Sequence, residues 1–376
     1  MRESIKIEPN PGGLTTTEKC DWLQLARTPR IGPVTFFQLL VRYGSASKAI
    51  DALPSLRSGR SNLKIAARAE IEREWQALSD FGANLVCACE DGYPNLLKQF
   101  APPPVLTMIG RPPLAQKRCV AIVGARQASA AGRKIARDIA AALSTADFTI
   151  VSGLARGIDG EAHAASLDGG TIGVLGGGID HIYPPQHARL YGAIRDTGLL
   201  ISESPFGHRA TARDFPRRNR IITGISEGVV IVEAAERSGS LISARTALEQ
   251  NREVMSVPGS PLDPRSAGSN RLLRQGATLV RHADDVIEAL TVPQSRRVNA
   301  PDLPRYEDML PPDASIPGVQ IEQVQALLSP TPISIPDLAR AARLSEPRCA
   351  AILVELELSG IARTFPGGFA ALALSS

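Results

Sequence analysis

The stretch CVAIVGAR (119–126) decides the fold, because a continuous apolar run that ends at a glycine turn is typical of a buried strand. Five similar runs follow, and helical patterns separate them: FTIVSG (148–153), TIGVLGGG (171–178), LLISES (199–204), GVVIVEA (228–234) and EVMSVPG (253–259). Strands that are apolar on both faces and alternate with helices predict an α/β protein with a Rossmann-like, doubly wound, mainly parallel sheet. A ligand is expected at the carboxyl ends of the strands.

Outward from this central domain, which we place at residues 85–290, the sequence predicts four further segments. Residues 1–17 are expected to form a flexible tail, and residues 18–84 a helical domain of the SAM or helix-hairpin-helix type. A proline-rich linker is predicted over 291–317, and a winged-helix-like domain over 318–376. The helical hairpin at Ile31-Gly32-Pro33 either holds DNA phosphates on main-chain N–H groups or only packs, and the sequence leaves both interpretations open.

The bulk composition indicates a folded cytoplasmic protein. Hydrophobic residues make up 43% of the chain, and the longest apolar runs are too short to cross a membrane. The N-terminus lacks the apolar core of a secretory signal. The five cysteines fit neither a disulfide framework nor a zinc site, which favours a reducing compartment. We therefore expect no membrane contact and no bound metal.

The distribution of charge favours a polyanionic partner for the first part of the chain. The net charge is +4, and the positive excess lies before residue 283, whereas residues 283–317 and 318–376 are both net negative. A nucleic acid is therefore expected to bind the central or N-terminal domain rather than the C-terminal one.

Two common classes of nucleotide-binding enzyme are disfavoured. The turn after the first strand reads VGARQASAAG, which lacks the G-x-G-x-x-G fingerprint, and the second strand ends at Ser152-Gly153 without an acidic residue for a ribose. No GK[ST] sequence follows a glycine loop, which argues against a P-loop ATPase. We therefore predict no cofactor.

The glycine turns at the strand ends still suit a phosphate, because glycine lets the main chain approach an anion closely. Close to them in the predicted fold is the segment RDFPRRNR (213–220), in which four of eight residues are arginine. Arginine pairs with phosphate, and a phenylalanine face stacks on an unpaired base. Composition alone leaves a second interpretation open, a solvated helix face whose arginines pair with Glu227 or Glu233.

An ordered series of short motifs runs through the central domain. It comprises IVGAR (122–126), SGLARGID (152–159) with His163, GGGID (176–180) with Tyr183-Pro184, SESP (202–205), FPRRNRII (215–222), Glu233-Ala234 with SGSL (238–241), and VPG (257–259). This series resembles the DprA/Smf family, the DNA-processing proteins of natural transformation.

The resemblance implies a non-enzymatic protein that binds single-stranded DNA cooperatively as a homodimer and loads the RecA recombinase onto it. It also implies a phosphate pocket at Arg126 that is flanked by the basic segment 215–220. The residues predicted to contact DNA are Gly124, Ala125, Arg126, Gly153, Arg156, Arg213, Phe215, Arg217, Arg218, Asn219, Arg220, Ser238 and Ser240.

Two details of this predicted site qualify the resemblance. Ala125 stands where many family members have serine, so one hydroxyl contact to phosphate would be missing. Arg218 and Arg220 flank the apolar pair Ile221-Ile222, so these two side chains are also candidates for partial burial.

The alternative function is that of a phosphoribohydrolase of the lysine-decarboxylase-like type, since such enzymes share a related sheet. Their Pro-Gly-Gly-x-Gly-Thr motif is replaced here by Ser238-Gly239-Ser240-Leu241, and Glu249 lies far along the following helix. Because the acid–base constellation is missing, we predict no catalytic residue. Asp159 and His163 share a helix face, but two ligands are too few for a closed metal site, so we interpret them as structural.

The C-terminal domain is not expected to read DNA, although it resembles a winged helix. Its predicted recognition helix, 345–359, carries Arg348 but also Glu346, Glu355 and Glu357. An acidic face opposes the approach to phosphates. We expect this domain to contact protein or to pack within the chain.

Overall fold

The computed structural model describes residues 13–54, 64–291, 318–359, 361–365 and 368–373. These residues form two compact units, of which one contains 16–71 and 318–373 and the other contains 13–15 and 72–291. Most of the predicted tail and all but the first residue of the predicted linker lie outside the described residues. The domain boundaries therefore stay predictions, with one correction: the first helix begins at Thr16, inside the predicted tail.

Within the described residues, the chain forms fourteen α-helices and twelve strands. The helices are α1 Thr16–Arg27, α2 Pro33–Tyr43, α3 Ala46–Ala52, α4 Arg68–Phe81, α5 Ala130–Thr145, α6 Ile158–Ala165, α7 Ala188–Thr197, α8 Asp214–Ile225, α9 Gly239–Glu249, α10 Ala267–Arg274, α11 Ala283–Thr291, α12 Gly318–Leu327, α13 Ile335–Ala341 and α14 Glu346–Leu358. The strands are β1 Asn84–Cys87, β2 Val105–Gly110, β3 Cys119–Gly124, β4 Thr149–Ser152, β5 Thr171–Leu175, β6 Leu199–Ser202, β7 Gly228–Val232, β8 Glu253–Ser256, β9 Thr278–Leu279, β10 Ile333–Ser334, β11 Ala362–Phe365 and β12 Phe369–Leu372.

The larger unit is built on one sheet of nine strands in the order β1-β2-β6-β5-β4-β3-β7-β8-β9. All pairs from β6 to β9 are parallel, and β1 and β2 add an antiparallel edge. The six predicted strands are β3 to β8, so the prediction of a mainly parallel α/β sheet is confirmed. Their apolar residues are buried on both faces, which is why the runs are continuous rather than alternating.

The sheet is wound in both directions from β3. The chain runs outward through β4, β5 and β6, and then crosses to β7 and β8 on the other side of β3. Since parallel crossovers are right-handed, this reversal covers both faces with helices. Helices α5, α6 and α11 share one core with β3, β4 and β7, whereas α8 and α9 pack against each other. The reversal point between β3 and β7 is where ligands bind in such sheets.

The smaller unit contains α1 to α3, the first residues of α4 and the predicted C-terminal domain. Trp22, Phe36 and Phe37 form an aromatic cluster in α1 and α2, with ring centroids 5.1 to 6.3 Å apart. The C-terminal part has three helices and a three-stranded sheet in the order β10-β12-β11, the arrangement expected of a winged helix. No described helix is long and apolar enough to cross a membrane.

The acidic helix of the winged-helix part, α14, forms hydrogen bonds with other residues of this unit. Glu355 is buried and accepts a hydrogen bond from Arg42 of α2 at 3.2 Å. Glu357 accepts hydrogen bonds from the main-chain N–H and the hydroxyl of Thr364. Two of the three glutamates that argued against DNA contact therefore have partners within the protein.

Gly124, the last residue of β3, yields a prediction about stability. A Cβ at this position would lie 1.8 Å from the Val232 carbonyl oxygen and 2.7 Å from the Ile158 side chain. Alanine must therefore push β3 and β7 apart, and we expect Gly124→Ala to lower the free energy of unfolding by about 2 kcal/mol or more.

Gly192 offers the matched control, because it lies inside α7 and a Cβ there would meet nothing within 4 Å. We expect Gly192→Ala to raise the free energy of unfolding by about 0.5–1 kcal/mol. Urea unfolding followed by circular dichroism measures both changes. Wild-type stability in Gly124→Ala would contradict the close approach of the two strands.

Candidate nucleic-acid interface at the carboxyl edge of the sheet

The carboxyl ends of three neighbouring strands each lead into a glycine. Gly124 ends β3, Gly153 follows β4 and Gly176 follows β5. Helix α8 places Phe215 on the same edge, since a Cβ at Gly176 would lie 3.4 Å from the Phe215 ring. The structure therefore brings the predicted glycine turns and the predicted aromatic residue together.

Arg126 completes a group of one cation and two aromatic rings, in which Arg126 and Tyr183 are exposed and Phe215 is half-buried. Its guanidinium carbon lies 5.1 Å from the centroid of the Phe215 ring, a cation–π distance. The centroid of the Tyr183 ring lies 5.6 Å from that of Phe215, and Tyr183 is 46% exposed. We call Arg126, Tyr183 and Phe215 the cation–aromatic group. Tyr183 was not among the predicted site residues, although its place in the motif series pointed to it.

The turns after β3 and β4 are held together by their main chains. Gly157 has φ +79°, and a Cβ there would lie 2.3 Å from the Ala125 carbonyl oxygen, so only glycine fits. The Ala125 oxygen accepts from the Ile158 N–H at the start of α6. None of the hydrogen bonds between described residues uses the main-chain N–H of Arg126 or Arg156. Both arginine side chains are exposed, so this edge presents positive charge together with N–H donors.

Arg218 lies below this surface, which corrects its predicted contact with DNA. It is 6% exposed, and its Nη1 donates to the Val174 carbonyl oxygen at 2.8 Å. Burial lowers the pKa of Arg218 to about 10, although the negative charge of Asp159 opposes that shift. The apolar neighbours Ile221 and Ile222 draw this part of α8 into the core, as their position beside Arg218 suggested.

Gly153 belongs to the same buried arrangement. A Cβ at this residue would lie 1.7 Å from Nη1 of Arg218, so the guanidinium fills the space that glycine leaves. Asp159 accepts from the Gly153 N–H at 3.1 Å and from the Ala155 N–H at 3.4 Å. Burial raises the pKa of Asp159, and the charge of Arg218 opposes that rise.

Two other arginines of the basic segment share one carboxylate. Glu203 follows β6, and it accepts from Arg217 Nη2 at 2.8 Å and from Arg220 Nη2 at 2.6 Å. The second interpretation of this segment named Glu227 and Glu233 as partners, and the structure pairs Arg217 and Arg220 with Glu203 instead. Glu227 pairs with Arg118 at 2.7 Å, and Glu233 accepts from the Ser129 N–H at 2.9 Å.

The remaining predicted residues lie on or beside α8 and α9. Arg213 is exposed at the N-terminus of α8, and Asn219 is half-buried on that helix. Ser238 caps α9, and its hydroxyl lies 2.7 Å from the hydroxyl of the buried Ser240. Glu249 is the last residue of α9, a whole helix away from these serines.

Asp159 and His163 have structural partners. His163 is fully buried, and burial lowers its pKa to about 3. Its Nε2 accepts from the Leu154 N–H at 3.4 Å, and its Nδ1 lies 2.7 Å from the Thr171 hydroxyl. Since that hydroxyl donates to the Ile150 carbonyl, it accepts from Nδ1–H, which defines the neutral tautomer. In the part of the chain that the structure describes, no three metal-ligating side chains cluster.

Comparison with known proteins assigns all three domains. The model of the DNA recombination-mediator protein A family matches residues 84–291, which is more than half of the chain. The chain belongs to the DNA recombination-mediator protein A family. A DprA-like N-terminal HHH domain matches residues 16–77, and a DprA winged helix domain matches residues 311–368. The resemblance to DprA/Smf and both predicted flanking folds are confirmed.

Relatives of this mediator family cover most of the chain. Protein Smf of Escherichia coli strain K12 is 38% identical over 309 residues, 81% of this chain and 82% of that protein. DNA processing protein DprA of Bacillus subtilis strain 168 is 39% identical over 275 residues, 69% of this chain and 93% of that protein.

Two solved structures share the fold. The X-ray structure of DprA from Streptococcus pneumoniae aligns with a TM-score of 0.63 and 32% identity, over 73% of this chain and 98% of that chain. DNA processing protein A from Helicobacter pylori aligns with a TM-score of 0.51 and 28% identity, over 55% of this chain and 95% of that chain. The latter structure is described as giving insight into the single-stranded DNA binding mode of that protein.

His163 yields a prediction about pH. The folded chain keeps this imidazole neutral down to a pKa of about 3, whereas the ordinary value is 6.5. An unfolded chain therefore binds a proton below about pH 6.5 that the folded chain does not bind, so His163 removes stability as the pH falls through this range. We expect the loss from this residue to be on the order of 2 kcal/mol between about pH 6.5 and 4.5.

The measurement is the free energy of urea unfolding across this pH range for wild type and His163→Gln. The variant should be less stable at neutral pH but should lose less stability on acidification. His282→Gln, which replaces an exposed histidine, serves as the control and should keep the wild-type slope. Parallel curves for wild type and His163→Gln would show that the buried imidazole does not resist protonation.

Proposed function

We propose that this chain binds single-stranded DNA along the carboxyl edge of its sheet. The observation that carries the proposal is the cation–aromatic group, of which Arg126 and Tyr183 are exposed, next to main-chain N–H groups that lack acceptors among the described residues. A guanidinium and N–H groups at a glycine turn suit a phosphate. The faces of Phe215 and Tyr183 suit an unpaired base.

The same geometry supports a preference for strand state rather than for sequence. Stacking needs bases that are free of a partner, which single strands offer and duplexes do not. Contacts to phosphate carry no sequence information and depend strongly on salt. We therefore propose binding with little sequence preference, with Arg213 and Arg156 extending the positive surface around Arg126.

In this proposal the predicted site residues take different roles. Arg126, Arg156, Arg213 and Phe215 contact DNA through their side chains. Gly124 and Ala125 shape the turn that presents the Arg126 main chain, and Ala125 offers no hydroxyl. Arg218 and Gly153 act from below the surface, where they hold α8 against the strand ends. Ser238, Ser240 and Asn219 border the site.

The family supports the larger setting of this activity. Relatives bear the name DNA processing protein DprA, and the Helicobacter pylori protein has a described single-stranded DNA binding mode. We propose that this chain acts in natural transformation and recombination in the cytoplasm, as a homodimer that loads the RecA recombinase onto DNA. The winged-helix part would contact protein or pack within the chain, and the pairing of Glu355 with Arg42 supports packing within the chain.

We further propose that the chain makes and breaks no bond in DNA or nucleotides. Ser238 and Ser240 stand where phosphoribohydrolases have their glycine-rich motif, and the hydroxyls of these serines hydrogen-bond to each other. Glu249 lies at the far end of α9. Incubation with nucleoside monophosphates should release no base. Turnover in that assay would favour the enzymatic alternative.

The decisive variant for the proposed function is Arg126→Ala. Loss of a charged contact to phosphate and of its cation–π partner should weaken the binding of labelled oligo-dT by about ten- to a hundredfold. The slope of log K against log salt should fall by about 0.7, the contribution of one phosphate in a single strand. Fluorescence anisotropy over a series of salt concentrations measures both effects.

Arg118→Ala is the matched control, because Arg118 lies at the opposite, amino-terminal end of β3 and is also an exposed arginine. It removes the same charge and should bind oligo-dT within about twofold of wild type. Duplex DNA of equal length tests the preference for single strands. Unchanged oligo-dT binding by Arg126→Ala would show that Arg126 does not form the phosphate site.

A further inference from the structure

Glu203 is a buried anion placed inside the basic segment. Its side chain is 9% exposed, and it pairs with two arginines that are three residues apart on α8. Residues at this spacing lie on the same helix face. One carboxylate therefore pairs with two of the four arginines that made segment 213–220 a candidate for phosphate binding.

The two arginines are held very differently. The Arg220 side chain is 22% exposed, and its Nη1 also donates to the Ala101 carbonyl oxygen. The Arg217 side chain is 62% exposed and donates through Nε and Nη2 to Glu203, its only hydrogen-bond acceptor in the described parts of the chain. Arg217 can therefore leave Glu203 without breaking any other hydrogen bond. Arg220 would also have to break its bond to Ala101.

The pairing of Arg217 with Glu203 has the form of an arginine–phosphate contact. Two N–H groups of one guanidinium point to two oxygens of one anion, as they do toward a phosphodiester. When Arg217 leaves, Glu203 keeps Arg220, so no buried charge remains unpaired.

We propose that Glu203 is an internal substitute for a DNA phosphate, which holds Arg217 in the free protein and yields it to a phosphodiester of the bound single strand. Arg220 remains on Glu203 throughout and positions it. The inference rests on the proposed function, since it concerns the same edge of the sheet. It predicts that the native carboxylate competes with DNA and weakens binding.

The test is Glu203→Gln in the full chain, because glutamine keeps an acceptor for Arg220 and removes the competing charge. We expect oligo-dT affinity at low salt to rise about three- to tenfold, the worth of one partly exposed ion pair. The gain should disappear when Arg217→Ala is added. Glu227→Gln removes the same charge from the Arg118 pair at the other edge and should leave affinity within about twofold of wild type.

The outcomes separate this inference from the proposed function. If wild type fails to bind oligo-dT, the proposed function is overturned. If wild type binds but a folded Glu203→Gln binds equally or more weakly, or if the gain survives Arg217→Ala, only the exchange is overturned.

A second measurement follows DNA binding by the wild-type protein and needs a variant only to assign a resonance. The arginine Nε–H resonances report on guanidinium contacts, and addition of oligo-dT should shift the resonance of Arg217 and leave that of Arg220 in place. Assignment comes from Arg217→Lys. Movement of both resonances, or of neither, would contradict the exchange.

Discussion

The candidate interface depends on the contacts that the buried guanidinium of Arg218 makes with the ends of two strands. The guanidinium joins α8 to the ends of β4 and β5, because it donates to Val174 and occupies the space above Gly153. A buried charge is costly unless it is paired, and here Asp159 supplies the opposite charge. Phe215 lies one helical turn before Arg218, so fixing Arg218 also fixes the ring against Gly176 and beneath Arg126.

Local sequence patterns were sufficient for the central strands and insufficient for the edges of the sheet. Strands β3 to β8 are continuous apolar runs, and such runs record burial on two faces. The antiparallel strands β1 and β2 pair with each other and with β6, which is distant in sequence, and β9 has only two residues. Pairing of that kind is decided by tertiary packing, which periodicity does not record.

The candidate site was predictable in its position but not in its electrostatics. The glycines at strand ends and the motif series pointed to Arg126 and Phe215, because both kinds of pattern can be read from consecutive residues. The ion-pair partners of the arginines could not be predicted in this way. Glu203 lies fourteen residues before Arg217 and meets it only after β6 and α8 have packed, so composition could offer only Glu227 and Glu233 as alternative partners.

The arginines of segment 213–220 therefore lie in three different environments. Arg213 is exposed, Arg217 is exposed but paired, and Arg218 is buried. A surface that grips phosphates without reading bases gains affinity from every unpaired cation, and it then binds any polyanion. A carboxylate that occupies one arginine lowers that general attraction, while a buried arginine keeps the aromatic ring in place for stacking on a base. In the proposed binding mode, selectivity for single strands comes from the ring, since phosphates are common to every nucleic acid and free base faces are not.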